Sequence, residues 1–192
     1  GASAALADDW RLGLSLAWAE RGPSAEELLA NGPHMATNAV EYGSHELRKE
    51  RSLGVEAVLR GRGEGWQVEL SGFFSRFHDF LYLAPTGGVE HGLDVFQYRQ
   101  GGARHWGFEF EGKAELFHVG EALVRATGMV DFVRADLLDG GPVPRIPPLR
   151  LLGGVEVEGA ALNARMEVEH VARARHLALN ESRTPAFTLV NA

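Results

Sequence analysis

The chain has 192 residues and no cysteine, so it has room for one ordinary domain but none for disulfides, thiolate metal sites or cysteine nucleophiles. Its 19 basic and 26 acidic residues leave a formal net charge of −7, and without a basic stripe to neutralise phosphates nucleic acid is excluded as a partner. No apolar run approaches the ~18 residues of a membrane helix, but a barrel strand is apolar only at every second position and escapes that test. Residues 1–7 have neither a basic start nor an apolar run, so they are not a secretory signal. If the protein is exported, its signal is expected upstream.

A short first strand, residues 2–7, leads into Asp8-Asp9. From residue 10 to 18 the even positions are Trp10, Leu12, Leu14, Leu16 and Trp18, and Arg11, Gly13, Ser15 and Ala17 lie between them. This two-residue period predicts a strand with one apolar face. Trp at both ends of that row fits two interfacial aromatic girdles. In residues 21–49, Ser24 and Glu27 have the spacing of a capping box, and Asn31-Gly32-Pro33 stops the short helix they begin.

Alternation returns at residues 52–59, with Leu53, Val55, Ala57 and Leu59 on one face. It returns again at 66–74 with Trp66, Val68, Leu70, Gly72 and Phe74, and at 106–116 with Trp106, Phe108, Phe110, Ala114 and Leu116. Residues 124–132 follow the pattern with a lapse at Met129. Residues 149–158 begin after Pro147-Pro148, as suits a strand start. Residues 162–169 and a last stretch from about Thr184 to Ala192 complete nine strands.

The connections alternate. Short ones are expected at 8–9, 61–65, 117–120 and 159–160, and long ones at 21–49, 81–96, 136–145 and 173–183. Tight turns at one end and long loops at the other mark an up-and-down membrane barrel. The faces opposite the apolar rows carry Glu56, Glu69, Glu109, Glu111, Lys113, Glu115, Arg125, Asp131, Arg150, Glu156, Arg165 and Glu167 among others. A dry core does not accept such a set without pairing, whereas a water-filled lumen does. The fold expected is all-β: an antiparallel up-and-down transmembrane β-barrel segment. The competing reading is a soluble antiparallel sheet with one wet face. An odd strand count with open edges is not viable in lipid, so residues 1–192 are expected to be part of a larger barrel that lacks its closing strand.

Several segments in order also resemble TonB-dependent outer-membrane receptors. Residues 20–28, ERGPSAEEL, resemble the family's "ER-x-P-S-x-E-E-L" strand end. Residues 31–37, NGPHMAT, resemble the branch associated with zinc and related metal uptake. Residues 47–52 (LRKERS), 73–82 (FFSRFHDFLY), Tyr98-Arg99-Gln100 with Gly107-Phe108-Glu109, 144–150 (PRIPPLR) and 187–192 (FTLVNA) resemble further family segments. The resemblance implies a barrel of about 22 strands plugged by an N-terminal globular domain. It also implies energy from the TonB complex, acting through a plug that these residues do not include. The localisation it implies is the outer membrane of a Gram-negative bacterium.

The candidate metal ligands are His34, His78, Asp79 and His91, with Glu26, Glu27, Asp94 and His105 as further ligand-loop candidates. The groups considered are His78 with Asp79, His91 with Glu90 and Asp94, and His34 with Glu26 and Glu27. Imidazole and carboxylate together suit a borderline ion such as zinc, although no HxxxH or HExxH spacing is present and solvated loop histidines account for each residue alone. No resident cofactor is expected. The leading function is active uptake of a scarce metal ion or metal chelate of the zinc, haem or siderophore type, with the lipid bilayer and the ligand as partners. The alternatives are a passive porin or structural barrel, and an outer-membrane barrel enzyme, for which His78-Asp79 is the faint pointer. No P-loop, GxSxG or triad order is present.

Overall fold

The structure, a computed structural model, describes residues 1–160, 162–179 and 181–192. Twelve strands and one short helix follow in order: β1 (Ala2–Ala7), β2 (Trp10–Arg21), α1 (Ala25–Leu29), β3 (Asn31–His34), β4 (Ala39–Tyr42), β5 (Glu50–Gly63), β6 (Trp66–Glu90), β7 (Leu93–Val119), β8 (Ala122–Leu137), β9 (Gly141–Pro142), β10 (Arg150–Glu158), β11 (Asn163–Val171) and β12 (Phe187–Asn191). The main sheet runs β1-β2-β5-β6-β7-β8-β10-β11-β12, each strand antiparallel to the next. These are the nine strands expected from alternation. β3, β4 and β9 lie off that path.

Register aligns the apolar positions across the sheet. One row runs Leu14, Ala57, Gly72, Phe108, Phe132, and its neighbour runs Leu12, Leu59, Leu70, Phe110, Val130, Leu151. The row between them, on the other face, is Gly13, Val58, Ser71, Glu109, Asp131, Arg150. The apolar face is left open: Leu14 is 52% exposed, Leu16 69% and Trp18 59%. A water-soluble sheet buries such a face to gain the hydrophobic term, about 25 cal/mol per Å². Here burial is concentrated elsewhere, in Ala39, Val40, Leu81, Ala84 and Val95, where the long connection packs on the far ends of β6 and β7.

Trp10 and Trp66 meet at the short-turn end, with centroids 5.7 Å apart. A Cβ at Gly61 would lie 2.7 Å from the Trp10 ring. The ring occupies the space that a side chain at position 61 would take, covering the bare backbone of that strand. Trp18 stands eight positions beyond Trp10, about 26 Å along the strand and roughly 20 Å along the normal of a tilted barrel.

Several boundaries differ from expectation. Residues 81–96 are not a loop: β6 and β7 continue as a long hairpin to a tight turn at His91-Gly92. The connection 21–49 contains α1, β3 and β4. β7 runs to Val119, past the turn expected at 117–120, and the last strand begins at Phe187 and not near Thr184. In the connection 173–183, Asn180 lies outside the described residues.

Candidate functional site

The long connection after β2 folds into a compact unit. Ser24 caps α1: its hydroxyl accepts the Glu27 N–H at 3.2 Å, and the Ser24 N–H donates to the Glu27 carboxylate at 2.7 Å, the reciprocal box foreseen in the sequence. Arg21 donates to both Glu27 oxygens, at 2.8 and 3.0 Å, joining the end of β2 to the helix. Burial raises the Glu27 pKa, but the Arg21 and Ser24 hydrogen bonds outweigh it and leave the net value below the ordinary range. The helix is then held on the chain that returns: Gly43 N–H donates to Ala30 carbonyl at 2.7 Å and Ser44 N–H to Glu27 carbonyl at 3.0 Å. A Cβ at Gly43 would come within 2.7 Å of the Leu28 carbonyl oxygen, so glycine permits this approach.

β4 pairs antiparallel with β3 and parallel with β7, matching Val40 to Val95 and Tyr42 to Gln97. The hydroxyl of Tyr42 donates to Glu90 at 2.8 Å, which fixes β4 to the tip of the β6–β7 hairpin.

This packing brings Glu26, His34 and Glu41 together. One potential ligand atom from each lies within 4.8 Å of the others. Glu41 is 3% exposed. Thr37 Oγ1 donates to Glu41 Oε1 at 2.6 Å, and His34 Nδ1 stands 3.6 Å from the same oxygen. Tyr98 belongs to the group: burial first, then the charges of Glu41, Glu26 and Glu27, push its phenol up to about 12. Two carboxylates and an imidazole form an O/N donor set that fits a borderline divalent ion. The ligand edges of a tetrahedral zinc shell are about 3.4 Å long, so closing the group on an ion requires only small side-chain rotations.

Of the residues singled out in the sequence, His34 and Glu26 meet as grouped, while Glu27 is taken up by Arg21 and the cap. Glu41 was missed. His78 and Asp79 sit at an irregularity of β6, and Asp79 accepts from Arg51 at 3.0 Å. Asp79 (φ 57°) and His91 (φ 54°) adopt left-handed backbone. His91 is in the hairpin turn, Asp94 is paired with Val89, and Glu90 is engaged by Tyr42. His105 packs against Phe77 and Phe80, with centroids 4.7 and 5.3 Å away. Among the described residues these histidines and acids do not form a second three-ligand group.

The polar face of the main sheet is laced with ion pairs. Arg60 pairs with Glu69 at 2.7 Å, Arg150 with Asp131 at 2.6 Å and Arg165 with Glu156 at 3.3 Å. Arg125 lies between Glu158 and Glu115. Each pair joins neighbouring strands, so opposite charges directly across the ladder reinforce the register.

A family model described as "TonB dependent receptor-like, beta-barrel" matches residues 1–192. Among solved structures, the copper transporter OprC superposes with a TM-score of 0.83 at 21% identity, covering 98% of this chain and 29% of that one. The siderophore receptor PirA from Acinetobacter baumannii gives 0.68 at 13%, covering 98% and 32%. The ferric yersiniabactin uptake receptor FyuA from Yersinia pestis gives 0.66 at 16%, covering 98% and 27%. At these identities the likeness shows the fold. The chain spans under a third of the length of each.

Proposed function

The chain belongs to the TonB-dependent receptor β-barrel family, and from that premise we propose that it forms part of the wall of an outer-membrane receptor for a scarce metal ion or metal chelate. The remaining wall, and a plug through which the TonB complex acts, belong to the rest of such a receptor. The open apolar face lies against lipid, and the ion-paired face lines a wet lumen. The family and its solved neighbours are transport receptors and not enzymes. The passive-porin reading lacks a comparable support.

The observation that carries the ligand class is the convergence of Glu26, His34 and Glu41 beside Tyr98 at the long-connection end. A nearly buried carboxylate with a second carboxylate alongside is costly unless a cation joins them. A divalent ion there is cargo, held by donors that release it when protonated. Support for a metal-related cargo also comes from the neighbours, a copper transporter and two siderophore receptors. Zinc fits the donor set as well as other borderline ions do. Haem and ferric siderophores remain the chelate alternatives.

Calorimetry on the full-length receptor with zinc, haem and a ferric siderophore tests this reading. Saturable binding of at least one is expected. Binding of none would overturn it, and binding of a chelate unaffected by His34→Ala would move the capture site elsewhere.

A further inference from the structure

The long-connection end differs from the barrel wall in how its acids are matched. On the main sheet Glu69, Asp131, Glu156 and Glu158 each meet an arginine on a neighbouring strand. Under the long connection Glu41 is buried and Glu26 stands beside it. Among the described residues neither pairs with an arginine or a lysine; the basic group at hand is His34, whose Nδ1 is 3.6 Å from Glu41 Oε1. A phenol adds a fourth donor. β4 runs parallel to β7 with Glu41 opposite Phe96. Tyr98 stands two positions past Phe96, so it emerges on the face that Glu41 shares. The half-buried Tyr98 sits against the Glu26 carboxylate and in the field of Glu41. The donors come from α1, β3, β4 and β7, and the Gly43–Ala30, Ser44–Glu27 and Tyr42–Glu90 hydrogen bonds hold these elements together.

This donor set sorts ions by hardness and charge. Three oxygens and one imidazole nitrogen favour a hard cation over a soft one. The 192 residues supply no thiolate, and Met35, next to His34, is 92% exposed. With the phenol protonated, the two carboxylates balance a divalent ion. When the phenol O–H breaks and its proton leaves to water, the oxygen lone pair bonds to the ion, and three anionic oxygens balance a trivalent one. A fully balanced ion is the one a partly buried site holds at least desolvation cost. A trivalent ion also polarises a bound phenol enough to expel its proton near neutral pH.

We propose that Glu26, His34, Glu41 and Tyr98 bind a trivalent cation, ferric iron, directly through protein donors, with Tyr98 bound as phenolate and setting the preference over zinc. The proposal rests on the metal-capture reading above and deepens it. The ion arrives on a weak oxygen chelate and exchanges those ligands for the four of the protein.

The test titrates the full-length receptor in detergent with ferric nitrilotriacetate, gallium nitrilotriacetate and zinc sulfate. Ferric iron should produce the visible band of phenolate-to-iron charge transfer. Redox-inert gallium should bind with similar affinity and no such band. Tyr98→Phe should abolish the band and weaken ferric and gallium binding by about 100-fold, with zinc binding largely kept; Tyr82→Phe should leave the band in place. Ferric binding without the band, or a band that survives Tyr98→Phe, overturns the proposal. Equal loss of zinc and gallium in Tyr98→Phe means a structural tyrosine and also overturns it. So does an unmodified receptor that prefers zinc to gallium, in which case the metal-capture reading stands. Binding of none of the three ions, nor of haem or a siderophore, overturns that reading itself.

Discussion

In the proposed capture site Glu41 is the buried donor. At 3% exposure its side chain lies beside Thr37 and His34, and Glu41→Gln should remove one ligand oxygen while keeping the shape. Zinc affinity should fall by about 10–100-fold in calorimetry; an unchanged affinity would remove Glu41 from the site. Tyr98 gives an independent readout. Its folded pKa of about 12 lies above the ordinary value of 10, so the stability tied to its protonated form is full below pH 10 and is lost as pH rises toward 12. A cation between Glu26 and Glu41 cancels part of the negative field, so zinc should lower the ultraviolet-detected Tyr98 titration; no movement with saturating zinc would count against binding there. Glu27 works in the opposite sense. Its lowered pKa means that the Arg21 and Ser24 anchors of α1 are intact above the usual carboxylate range and are lost as pH falls through the folded value. His34 and Glu26 were legible because a capping box and a turn signal brought them near in sequence. Glu41 was not, because its place depends on a four-residue strand pairing in parallel with β7, more than fifty positions away.

The strands were legible wherever the period of two was unbroken. In β2 it runs cleanly from Trp10 to Trp18, and the structure leaves Leu14 and Leu16 open on the apolar face. Leu14→Arg should therefore cost about 2–4 kcal/mol at mid-membrane, measured by denaturant unfolding in bilayers, while Ser15→Arg on the polar face should be mild; equal costs would refute the facing. The outer parts of β6 and β7 were read as a loop for a specific reason. The register slips by one residue between Phe77 and Phe80, which exchanges the two faces, and two further residues of β6 bulge out between Pro85 and Val89, so alternation fails as a signal where the hairpin leaves the wall. Pro85, Gly87 and Gly88 add turn chemistry to that stretch. Glycines inside the strands carry meaning too. At Gly61 a side chain would collide with the Trp10 ring, so Gly61→Val should expel the indole and blue- or red-shift its emission, with a loss of about 1–3 kcal/mol from overpacking. An unaltered Trp10 spectrum would contradict that contact.

The whole molecule is organised in reverse of a soluble sheet. Its buried apolar residues gather under the long connection and the β6–β7 hairpin, while the broad apolar wall faces outward and the charged wall is laced by Arg60–Glu69, Arg150–Asp131 and Arg165–Glu156. The sequence made this inversion readable, since charges on one face and leucines on the other leave a choice between a wet lumen and an unpaired core. Pairing across strands also helps the sheet tolerate so many ions: Arg60, Arg125, Arg150 and Arg165 each meet a carboxylate on a neighbouring strand and still reach water. These 192 residues contain no cysteine, so once any cysteine elsewhere in the receptor is replaced, the central claim can be tested one position at a time. Single replacements Leu14→Cys, Leu16→Cys, Ser15→Cys and Glu109→Cys, each spin-labelled in the membrane-inserted full-length receptor, report access to oxygen dissolved in lipid and to a nickel chelate dissolved in water. Labels at 14 and 16 should meet oxygen and not nickel, and labels at 15 and 109 should meet nickel; the opposite pattern would contradict the account.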